Sequence, residues 1–113
     1  MAKRNAKELT PTPPKLYLKL RDKHPAFFDA WDAVGTAVRK TGPIDSKTAQ
    51  LLQLTASAAI RSEGAVHSHV RRALEAGSTA VEIRQALMLV APTIGFPNVI
   101  AALSWAEDVL GAG

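Results

Sequence analysis

The run His69-Val-Arg-Arg-Ala-Leu-Glu-Ala-Gly77-Ser-Thr79-Ala-Val-Glu82-Ile-Arg-Gln-Ala-Leu87 constrains the fold more than any other part of the chain. Gly77 is the residue type that closes a helix in a left-handed conformation. Two residues later, Thr79-Ala-Val-Glu82 has the spacing of a capping box. The threonine hydroxyl accepts from an early backbone N–H, and the glutamate reaches back to the cap's own N–H. Helix, tight stop and capped helix are therefore written locally into one segment, with the first helix expected from about Glu63 to Ala76.

The same punctuation recurs elsewhere. Pro25 suits the first turn of a helix, where a missing N–H costs nothing. Phe27, Phe28, Trp31, Val34 and Val38 then follow at helical spacing until Gly42 and Pro43. Asp45 is expected to cap the next helix, with Leu51, Leu52, Leu54, Ala58 and Ala59 as its buried stripe, running to about Arg61. After the capping box, Ile83, Ala86, Leu87 and Val90 share a face, and Pro92 is expected to interrupt it. Gly95-Phe96-Pro97 reads as a break before a last helix over Asn98–Leu110, and Lys15–Asp22 as a short helix near the start. Trp31, Trp105 and Phe96 are expected in a core or an interface. No strand-like run with hairpin turns is visible. The expected fold is all-α, five to six helices in a single domain over residues 15–113, preceded by a basic, proline-rich arm over residues 1–14.

Composition restricts the function classes. The chain carries a net charge of +4, yet its first 23 residues hold seven basic and two acidic side chains. The remaining residues hold seven basic and eight acidic ones, so the basic excess is an N-terminal feature. That distribution reads as a solvated terminus and not as a nucleic-acid surface. A helix-turn-helix reading of the 69–87 block fails because Thr79-Ala-Val-Glu-Ile offers no base-reading side chain and its early charge is acidic. Apolar runs fall short of the roughly 20 residues of a membrane span. No cysteine is present, so neither a disulfide framework nor an oxidising compartment is indicated, and a cytoplasmic protein is expected.

Three landmarks in order carry a resemblance: Leu-Tyr-Leu-Lys-Leu-Arg-Asp-Lys-His-Pro ahead of one helix, Gly-Pro-Ile-Asp-Ser-Lys-Thr ahead of another, and the 69–87 block. Together they resemble the carboxymuconolactone decarboxylase and alkyl hydroperoxidase D-like family, over roughly Lys15 to Leu110. The resemblance implies an alkyl hydroperoxidase D-like helical bundle that assembles as a homotrimer or homohexamer. In redox members the motif helix opens with Cys-x-x-Cys-x-x-x-His. Here His69 matches the histidine, while Ser62 and Ala65 occupy the cysteine positions and Gln50 stands where those members carry a proton-relaying glutamate. A disulfide-cycling peroxidase needs two thiols, so that chemistry is excluded.

Decarboxylase-type members also lack the cysteine pair, and the resemblance then implies a small-molecule carboxylate or lactone as substrate. Loss of carbon dioxide drives electrons into a conjugated ring, which is its own electron sink, so no cofactor is expected. The reaction needs a carboxylate anchor, a donor to the developing oxyanion and an acid that protonates carbon. His69 is assigned proton transfer, with Gln50 and Ser62 as hydrogen-bonding partners in the catalytic set. Arg61 leads the anchors over Arg71, Arg72 and Arg84, because it adjoins the motif. Glu63 and His67 form an i, i+4 pair that either joins the substrate-binding set or is an exposed ion pair. His67 and His69 point about 200° apart on a helix, a poor joint metal site, and no metal is expected. The competing reading is a non-catalytic oligomeric scaffold or binding module of the same family.

Overall fold

Asp45 starts the first helix of the larger of two units into which the chain divides, its side chain accepting from the Thr48 N–H at 2.7 Å. The computed structural model describes residues 13–111, and the arm expected over residues 1–14 lies almost wholly outside the described residues. Every regular element described is helical. In chain order they are α1 (Lys15–Lys23), α2 (Pro25–Arg39), α3 (Ser46–Ala59), α4 (Glu63–Glu75), α5 (Ala80–Leu89), the single turn α6 (Ala91–Ile94) and α7 (Phe96–Leu110). The first two belong to one compact unit and the remaining five to the other.

In the larger unit, α4 packs chiefly against α3 and α7. Val66, Val70, Ala73 and Leu74 supply the inward stripe of α4, at the three- and four-residue spacing that keeps one helix face together. Leu54 and Ala58 meet them from α3, and Ala102, Ala106, Val109 and Leu110 from α7. Ile83 and Leu87 of α5 close the cluster. Alanines at the contacts let helix backbones approach closely, while the larger aliphatics each contribute about 1.5–3 kcal/mol of burial.

Helix boundaries follow local chemistry. Thr79 and Glu82 form the reciprocal capping box expected for α5. Two helices end in paired 6→1 and 5→2 backbone bonds. For α4 these are Ser78 N–H to Ala73 O and Gly77 N–H to Leu74 O, with Gly77 at φ 100°. For α3 they are Ser62 N–H to Ser57 O and Arg61 N–H to Ala58 O, with Arg61 in the left-handed position at φ 55°.

As expected, α5 ends at Leu89 ahead of Pro92 and Gly95 separates the last two helices; the two prolines themselves sit in the first turns of α6 and α7, where no intrahelical N–H is owed. One boundary and one face differ from expectation. The last helix begins at Phe96, directly after Gly95. On α3, Leu52 and Ala59 are exposed and not part of the buried stripe. Both lie off the face defined by Leu54 and Ala58.

In the smaller unit, α1 and α2 bury no residue fully. Arg21 grips Asp32 with two guanidinium bonds of 2.9 and 3.0 Å, and donates to the Tyr17 hydroxyl. It also sits 5.1 Å from the Phe28 ring centre, within cation–π reach. The expected apolar face of α2 exists, but Phe27, Trp31, Val34 and Val38 remain exposed. Leu20, His24, Phe27 and Phe28 line an open groove of about 360 Å³ in this unit. Of the other aromatics, Trp105 packs against the core and Phe96 is exposed.

Candidate active site

The histidine of the motif helix is anchored by Gln50. His69 Nδ1 lies 2.9 Å from Gln50 Oε1, joining α4 to α3. Gln50 is buried, at 5% exposure, and His69 is half-buried. A carboxamide oxygen only accepts, so Nδ1 carries the imidazole proton and Nε2 keeps the lone pair. Gln50 thus sets the tautomer in the way a backbone carbonyl or carboxylate does in other sites.

Burial holds the His69 pKa below its ordinary value of 6.5, and the positive charge of Arg72 acts in the same direction. Arg72 lies three residues on along α4 and is exposed. Among the four arginines considered as anchors, it is the one whose field reaches His69. Arg84 is committed to Glu107 through two bonds, of 2.6 and 3.1 Å. Arg61 donates to the Asn98 side chain on α7. Arg71 has an interaction of its own.

Ser62 is the N-cap of α4, and its hydroxyl oxygen accepts from the Ala65 N–H at 3.3 Å. Ser62 and Ala65 are therefore linked by a capping bond within the first turn. As an acceptor Ser62 is occupied, and its own proton is still available to a partner.

Glu63 and His67 belong to a different constellation. His67 Nε2 is 2.9 Å from Asp108 Oδ2 on α7, and the ligand atoms of Glu63, His67 and Asp108 all lie within 4.8 Å of one another. The two histidines of α4 thus turn to different helices, His69 to α3 and His67 to α7, as their spacing dictates. Asp108 and Asn98 escaped sequence reasoning. Neither is near the motif along the chain, and an acid or amide on an amphipathic helix carries no local signal of its partner.

A family model described as the carboxymuconolactone decarboxylase family matches residues 25–108. No curated protein and no solved structure matches the chain.

Proposed function

The chain belongs to the carboxymuconolactone decarboxylase family, and on that premise we propose that it is a cofactor-independent lyase acting on a small carboxylate or lactone, with His69 transferring the proton. The observation that carries this reading is the Gln50–His69 hydrogen bond, which presents Nε2 of a half-buried imidazole in one fixed tautomer.

The proton inventory follows from the pKa. In the free protein near neutral pH, burial and Arg72 keep His69 largely uncharged. A carboxylate docking beside it, held by Arg72 or Arg61, adds the opposite charge and favours the imidazolium. Binding then loads the proton that the reaction consumes. As the C–C bond to the carboxylate breaks, carbon dioxide leaves and the electron pair passes into the conjugated ring and onto the lactone carbonyl oxygen. The Ser62 hydroxyl is suited to donate to that oxygen, and the imidazolium protonates carbon. Solvent returns the proton to Nε2, and the balance is one carboxylate and one proton converted to one C–H product and carbon dioxide.

The exposed apolar face of α2 supports self-association as a homotrimer or homohexamer, since contiguous patches of this kind mark interfaces. The cysteine-free sequence supports a cytoplasmic setting.

The decisive experiment is turnover of small unsaturated lactone carboxylates, followed by carbon dioxide release, with wild type and His69→Ala. General acid catalysis of this type contributes about 10²–10⁴-fold, so the variant should lose at least that much with its helicity intact. Equal rates for the two proteins would refute the assignment of His69. Absence of turnover in wild type across pH and substrates would favour the scaffold reading.

A further inference from the structure

We propose that Glu63, His67 and Asp108 form a binding site for a divalent first-row transition-metal cation of the zinc class, separate from the His69 site. Glu63 and His67 stand one turn apart on α4, and Asp108 reaches the same point from α7. One imidazole nitrogen and two carboxylate oxygens form a donor set that suits zinc and its neighbours better than calcium or magnesium.

The geometry is close to that of a chelate. Bonds of about 2.0–2.1 Å in a tetrahedral site place donor atoms ~3.3 Å apart. The three ligand atoms lie within 4.8 Å of one another, with His67 Nε2 and Asp108 Oδ2 already at 2.9 Å. Glu63 and Asp108 are both exposed, so a rotamer change in each closes the gap without moving backbone. Three protein ligands leave a fourth position for water.

The electrostatics point the same way. Asp108 lies in the last turn of α7, where unpaired carbonyls carry the negative end of the helix dipole. No basic residue occupies that turn, and its other acid, Glu107, is already neutralised by Arg84. Glu63 brings a second carboxylate to the same spot, while a single imidazole nitrogen can offer at most one proton between the two. A dication answers both charges at once, and in doing so ties the start of the helix that carries His69 to the end of α7. Arg71, one turn beyond His67 on α4, has an interaction of its own.

The test uses the full chain without a histidine tag. Zn²⁺ is titrated calorimetrically, and Co²⁺ is added as a spectroscopic probe whose visible bands report low-coordinate geometry. The expected result is one ion per chain for wild type. Glu63→Gln, His67→Ala and Asp108→Asn each weaken uptake by about tenfold or more, since losing even a residue that only orients a ligand costs about that much. His69→Ala, by contrast, binds as wild type. Circular dichroism confirms that each variant remains helical, and Asp108→Asn keeps the side-chain shape in case His67→Ala perturbs packing. Absence of saturable one-to-one uptake, or unchanged uptake in both His67→Ala and Asp108→Asn, would overturn the proposal. Because the readout is binding and not turnover, either result is independent of whether His69 is catalytic.

Discussion

Gln50 and His69 are joined by a 2.9 Å hydrogen bond between α3 and α4, with the buried carboxamide oxygen receiving the imidazole Nδ1 proton. A neutral acceptor orients the ring without adding charge. In Gln50→Glu a carboxylate takes the same position, and an opposite charge at hydrogen-bond distance favours the imidazolium. The His69 pKa is expected to rise above its depressed wild-type value, measurable by NMR titration of the imidazole resonances. If His69 acts as the acid, the descending limb of kcat/KM moves to higher pH with it. A titration curve unchanged from wild type would show that the two side chains do not meet in solution.

The depressed His69 pKa also makes stability depend on pH. Burial, and then Arg72, disfavours the proton in the folded state, whereas the unfolded chain titrates at the ordinary 6.5. Between the lowered native pKa and 6.5, the unfolded state therefore binds more protons. Folding stability rises with pH through that window and is lost as pH falls back through it. In His69→Gln this contribution disappears. Urea unfolding at a series of pH values should show the wild-type curve climbing more steeply than the variant's below 6.5, and running parallel above it.

Leu54 and Leu52 on α3 separate what the sequence pattern specifies from what it does not. Leu54 is fully buried, while Leu52 is 53% exposed. Leu54→Ala should cost about 2–5 kcal/mol, the range for a core leucine truncated to a cavity. Leu52→Ala should stay within about 0.5 kcal/mol, as surface changes do. Chemical denaturation of both variants checks the contrast, and equal losses would mean that Leu52 is covered in solution by a second copy of the chain.

Leu52 lies off the face that its helix buries. A stripe through Leu51, Leu54 and Ala58 obeys the helical period, whereas Leu52 is two residues from Leu54 and points about 200° away. Hydrophobicity alone puts it inside; the period puts it out. Capping was legible because its partners lie three residues apart: Asp45 with Thr48, and Thr79 with Glu82. His69 was legible through its place in a family motif, and Gln50 through the departure at the matching position. The contacts His67–Asp108 and Arg61–Asn98 were not, since α7 supplies the second member of each and only the tertiary fold brings it there. Pro92 and Pro97 mark where one helix gives way to the next, but their sequence alone does not say which residue opens the new helix, and each lies inside its first turn.

Arg61 closes α3 in a conformation that normally belongs to glycine. Its φ is 55°, and the backbone bonds around it repeat those at Gly77, where the same stop has no side-chain penalty. A residue with a Cβ costs roughly 1–2 kcal/mol in this region. The guanidinium bond to Asn98 offsets part of that cost by tying the α3–α4 junction to α7. The two effects separate in a pair of variants. Arg61→Ala loses the contact and keeps the strain, so it should be less stable than wild type. Arg61→Gly loses the same contact and relieves the strain, so it should exceed Arg61→Ala by about 1 kcal/mol. Thermal and urea unfolding of the two give the difference directly. Should Arg61→Gly prove no more stable than Arg61→Ala, the left-handed stop at this junction would be wrong, and with it the entry angle of the helix that carries His69.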